Sequence, residues 1–182
     1  MWNHVEPVPV LPVAAVFSGK QDLIEQAARR VESVAGSILA RSETVDFSIT
    51  NYYETQMGPE LRKQLVAFST LSDPGLLADW KHQTNRIEQE MAAETPSDVQ
   101  RPVNIDIGYL SKDKFVLATT KDASHRIYLS RYMYAEVTLC YKKKSYRELP
   151  WTYPDFRRED YIQFLNHIRS IYLEKLKSQT DF

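Results

Sequence analysis

Cysteine, histidine and glycine are all scarce in this sequence, and each shortage removes a class of protein before any motif is read. The only cysteine, Cys140, has no internal disulfide partner and sits in an apolar alternating run, which fits a reducing compartment and a cytoplasmic location. His4, His82, His125 and His167 are scattered, so neither zinc nor haem spacing occurs. Five glycines form no Gly-rich phosphate loop and no Gly-x-Ser-x-Gly elbow. Thr120-Lys121-Asp122 bears only a superficial likeness to the guanine-reading motif of GTPases, because the spacer residue and the companion phosphate loop are missing. Neither sign of charge dominates: 23 Lys and Arg against 24 Asp and Glu leave a net charge of −1, and thus no global field that draws in nucleic acid or an anionic membrane. No run approaches the ~18 consecutive apolar residues of a membrane span. Met1–Pro12, with three prolines and no basic or apolar signal region, reads as an extended N-terminal arm.

What remains is ordinary globular composition, 43% hydrophobic and 26% charged, over 182 residues that fit one domain. Val13–Phe17 reads as a buried strand, followed by a helix over Lys20–Ala35 that Gly36 stops. Thr44–Thr50 alternates as a half-buried strand, and Arg62–Leu71 is compatible with another. Asp73-Pro74 starts a helix whose stripe is Leu76, Trp80, Thr84, Ile87 and Met91. Val103–Ile107 alternates again, while Ser111–Lys121 stays open between a short helix capped by Ser111 and a strand favoured by Phe115-Val116-Leu117 and the two threonines. His125–Leu129 and Tyr134–Tyr141 read as a hairpin, Tyr146–Trp151 as a last strand and Glu159–Lys177 as a closing helix. This order implies an α+β fold: a mainly antiparallel sheet with helices packed on one face, a ferredoxin-like core, then a hairpin and a helix.

Polar chemistry is densest between Asn104 and Glu136. Thr119-Thr120-Lys121-Asp122, then His125, Arg126 and Tyr128, bring possible cations and hydroxyls together, suited to a phosphate or carboxylate. The bland alternative is a capped loop beside an exposed strand, with His125 and Arg126 on opposite sides. Asn104 and Asp106 share a strand face, with Tyr109 just beyond, and a neighbouring strand carrying Glu136 and Thr138 brings two carboxylates together. Paired carboxylates hold a divalent metal or divide acid-base work between them; a solvated sheet face is the plainer outcome. Two aromatic groups, one with Asp46, Tyr52, Tyr53 and Glu54 and one over Trp151–Phe156, suit stacking or, more simply, the fastening of loops to the core.

The strings Val103–Leu110, Ala118–Asp122, His125–Leu129, Tyr134–Leu139 and Pro150–Asp155, with Asp46-Phe47 and Tyr52-Tyr53-Glu54 before Met57-Gly58, resemble the bacterial family catalogued as domain of unknown function 4416. Two positions depart from its pattern: Ile107, where relatives are expected to have proline, and Ser130-Arg131-Tyr132, where a glycine-containing turn is usual. The resemblance implies a stand-alone bacterial domain of about this length and brings no activity, cofactor or metal with it.

The expectation is therefore a site for an anionic small molecule, phosphorylated ligands included, built from Asn104, Tyr109, Thr120, Lys121, Arg126 and Tyr128. If the protein is an enzyme, His125 is the acid-base group and Asp106 or Glu136 its proton or metal partner. The rival expectation is a module without catalysis that binds RNA or a protein through exposed aromatics and the basic turn Lys142-Lys143-Lys144.

Overall fold

A continuous apolar run has to be buried on both sides, and β1 (Leu11–Ser18) is: every residue of Leu-Pro-Val-Ala-Ala-Val-Phe-Ser is buried, at the centre of the sheet. The computed structural model describes residues 4–47, 53–96 and 99–180. After β1 come α1 (Gln21–Ala35), β2 (Ile38–Arg41), β3 (Val45–Asp46), the one-turn α2 (Glu54–Met57) and β4 (Arg62–Phe68). Then follow α3 (Leu77–Glu94), β5 (Asn104–Leu110), β6 (Lys114–Thr119), β7 (Arg126–Ser130), β8 (Met133–Lys142), β9 (Ser145–Glu148) and α4 (Glu159–Thr180). Among the described residues, no helix is long and apolar enough to cross a membrane.

The strands form one sheet of order β2-β4-β1-β5-β6-β8-β7, with β3 on β4 and β9 on β8, and all described pairings are antiparallel. The fold is thus α+β with a mainly antiparallel sheet. In its first half, β2-β4-β1-β5 interleave as a split β-α-β-β-α-β unit, with α1 and α3 as the crossovers. Both pack their apolar stripes on one face, over Val16, Val66, Ile105, Ile107 and Val116. The closing helix α4 goes to the other face instead, where Tyr161, Leu165, Ile168 and Tyr172 meet Val13, Leu65, Leu110 and Phe115. Helices therefore cover both faces, because strands buried on both sides leave no apolar face for solvent.

Local chemistry sets the boundaries. Gly36 closes α1 at φ +87°, and a Cβ there would stand 2.0 Å from Thr70 Oγ1, so glycine is required twice over. Asp73 Oδ1 accepts from Gly75 N at 2.7 Å and caps a 3₁₀ turn, Pro74–Leu76, that leads into α3. Ser111–Lys121, open between helix and strand in the sequence, contains β6, and β2 is a strand that the sequence pattern does not announce. The continuation of the strand expected over Thr44–Thr50 beyond Phe47, and Tyr52 with it, lie outside the described residues.

Candidate functional site

The sheet forks at Gly108. Strand β5 pairs with β1 along all of Asn104–Leu110, but with β6 only over Gly108–Leu110, while β6 continues along β8 as far as Thr119. A Cβ on Gly108 would stand 2.0 Å from Val116 O, so glycine is what lets β6 cross close to β5 before the two strands part. Beyond the fork a cleft of about 870 Å³ opens, the size of a small-molecule site.

On the β5 wall, Ile105 has lost a strand neighbour, and α3 replaces it. Glu88 Oε1 accepts from Ile105 N at 2.8 Å, and Lys81 Nζ donates to Ile105 O at 2.7 Å. Arg101 donates to Glu88 Oε2 through Nε at 3.1 Å and Nη2 at 2.5 Å. Lys81 and Glu88 are both buried, yet each is bonded, which is the condition on which a buried charge persists. Asp106 stands beside them, with Oδ1 3.8 Å from Lys81 Nζ. Asn104 is 2% exposed and lines the cleft, and among the described residues its Nδ2 has no hydrogen-bond partner.

The opposite wall centres on Glu136, 3% exposed. Its Oε2 accepts from Arg126 Nε at 2.9 Å and from His125 Nε2 at 3.1 Å, and its Oε1 accepts from Thr138 Oγ1 at 3.4 Å. Arg126 also donates to Lys121 O at 3.0 Å and to the Tyr153 hydroxyl at 3.3 Å. Burial works to lower the Arg126 pKa, but the bonds to Glu136 and Tyr153 outweigh it and hold the group above its ordinary value. The His125 ring stacks on Trp151, centroids 5.2 Å apart, and Trp151 is tied down by its Nε1 bond to Val137 O at 2.8 Å. The third side carries Lys63, bonded to Asp155 Oδ2 at 2.5 Å and set over the rings of Phe17, Phe47 and Phe156.

Of the residues expected from sequence, Asn104, Asp106, Thr120, Lys121, Arg126 and Glu136 line this one cleft, and His125 joins it through Glu136. Tyr109 does not: strand alternation turns it to the other face, against the core beneath α1 and α3, where burial raises its phenol pKa. Tyr128 does not either; it is 56% exposed on β7, edge-on to Tyr134. The expected carboxylate pair is also corrected, since β6 lies between β5 and β8, so Asp106 and Glu136 face each other from separate walls, each with its own cations. Among the described residues, no group of three or more His, Cys, Asp or Glu side chains is placed to hold a metal ion.

Sequence reasoning missed Lys63, Lys81, Glu88 and Arg101, and named Asp155 only within the aromatic group Trp151–Phe156, which lines the cleft with Tyr153 and Phe156. A signal exists for three of them: Lys81 and Glu88 lie seven residues apart, each one position beyond a member of the α3 stripe, and so share its inward side. Lys63 likewise alternates with the buried Leu61, Leu65 and Ala67. The charged groups lining the cleft among the described residues are five Lys and Arg against four Asp and Glu. No curated protein and no solved structure matches the chain. A family model does match, over residues 8–172, and the chain belongs to the family described as Domain of unknown function (DUF4416).

Proposed function

We propose that the cleft binds an anionic small molecule, with phosphate as the leading anion. The observation that carries this reading is Asn104 Nδ2, a buried donor without a partner among the described residues, on a residue that lines the cleft. Leaving such a donor unpaired costs about 1–3 kcal/mol, and a ligand acceptor removes that cost. The cationic excess of the lining sets the sign of the ligand, and Lys121, exposed beside Thr119 and Thr120, supplies a charge at the open side. Arg126 contributes mainly by shaping the wall, because three of its donors already have protein acceptors. Catalysis is not part of this reading; His125 donates to Glu136 and stacks on Trp151, an arrangement that fixes its orientation.

The RNA- or protein-binding reading draws on exposed Ile127, Tyr128 and Tyr132 at the β7 edge of the sheet. The turn Lys142-Lys143-Lys144 lies at the far end of β8 from them, so lysines and aromatics do not make one continuous surface.

The test is a thermal-shift series with inorganic phosphate, sugar phosphates and dicarboxylates on the wild-type chain, Asn104→Ala and Lys121→Ala. An anion at ~100 times its dissociation constant adds about 2.7 kcal/mol to wild-type stability. The shift is expected to shrink in both variants, and an undiminished shift in both would sink the proposal.

A further inference from the structure

The same cleft says more about its ligand, on the assumption that the anion-binding reading holds. Asn104 and Asp106 are two residues apart on one face of β5, about 7 Å between Cα atoms, and their unmet needs are opposite. Asn104 Nδ2 lacks an acceptor among the described residues. Asp106, whose side chain is 30% exposed, accepts no hydrogen bond among the described residues, since Lys81 Nζ is 3.8 Å away and donates to Ile105 O instead. The other three carboxylates of the cleft are all engaged: Glu88 by Ile105 N and Arg101, Glu136 by His125 and Arg126, and Asp155 by Lys63.

A bare phosphate meets this pair poorly. Its oxygens serve Asn104, but beside Asp106 its negative charge repels, even where its remaining P–OH donates to the carboxylate. An ammonium group fails in the reverse way, because it donates to Asp106 and has nothing for Asn104. A hydroxyl both donates and accepts, and neighbouring hydroxyls on a carbon chain or ring meet both needs at once. We infer that the ligand is a polyhydroxylated phosphate of the sugar-phosphate class, its hydroxyls read by Asn104 and Asp106 and its phosphate held toward Lys121.

The experiment is calorimetric titration of the wild-type chain, Asp106→Ala and Asp106→Asn with inorganic phosphate, glycerol 3-phosphate, ribose 5-phosphate and glucose 6-phosphate. In the wild type, at least one hydroxylated phosphate is expected to bind about tenfold tighter than inorganic phosphate, the worth of one hydrogen bond to a charged group. Removing the carboxylate is expected to move the two kinds of ligand in opposite directions. Inorganic phosphate tightens because a like charge is gone, whereas the hydroxylated ligand weakens because its acceptor is gone. Asp106→Asn, which keeps the shape and drops the charge, is expected to fall between and guards against a folding defect in the alanine variant. If phosphate binds and no hydroxylated phosphate exceeds it, or if Asp106→Ala tightens both kinds equally, this inference is overturned while the anion site stands. If neither phosphate nor any sugar phosphate binds the wild type, the anion reading and this inference fall together.

Discussion

One strand, β5, carries two different solutions to the same backbone problem. Over Gly108–Leu110 it has strand neighbours on both sides, and its side of the sheet is closed by Leu110, Phe115 and α4. Over Asn104–Ile107 it keeps β1 but loses β6, and the hydrogen bonds a strand would have made at Ile105 come from Glu88 and Lys81. A strand neighbour satisfies backbone groups and fills space; a pair of side chains satisfies them and leaves a cavity. The cleft is what remains when charge replaces a strand, which is why its walls hold so many buried ions.

Breaking the open stretch at its support has the largest expected effect. Glu88→Ala strands Ile105 N, Arg101 and Lys81 together, and is expected to lower unfolding stability by about 3–5 kcal/mol, read by denaturant titration. Lys81→Met with Glu88→Leu removes both charges and is expected to recover part of that loss; equal losses for the single and double variants would mean that the charges are incidental. Next comes Gly108→Ala, at the boundary itself. The added methyl meets the Val116 carbonyl, and a loss of about 2 kcal/mol is expected, against a near-neutral result if the two strands have slack. The smallest effect has the opposite sign. Asn104→Ala removes an unpaired buried donor and is expected to raise the stability of the ligand-free protein by about 1 kcal/mol while weakening anion binding. A loss of more than 1 kcal/mol would instead give Asn104 a structural duty.

Much of this contrast was legible in the sequence. Alternation located β5, β7 and β8, the Asp73-Pro74 cap located the start of α3, and the polar segment Asn104–Glu136 supplied most of one cleft wall and part of the other. Two physical causes hid the rest. Lysine and glutamate are normally solvent-facing, so residue type hides the inward spacing of Lys63, Lys81 and Glu88. The second cause is the ambiguity of Ser111–Lys121, where a helix cap at Ser111 competes with the strand signal of Phe115-Val116-Leu117; without β6 in place β5 and β8 look like neighbours, and Asp106 and Glu136 look like a pair. Tyr109 was misassigned because it was read by closeness along the chain, although strand parity separates it from Asp106. The short β2 gave no alternating signal because all four of its residues are half-buried.

The fork also divides the sheet into two leaves of unequal attachment. Strands β2, β4, β1 and β5, with β3, form one leaf, and β6, β8 and β7, with β9, the other, joined laterally among the described residues only over Gly108–Leu110. Local opening follows the least-bonded line in a structure, so the amides of this short seam are expected to exchange with solvent through leaf separation, ahead of those paired between β1 and β4. A molecule seated between Asn104 and Lys121 touches both leaves, and slower exchange along the seam is how its arrival would register far from its own contacts.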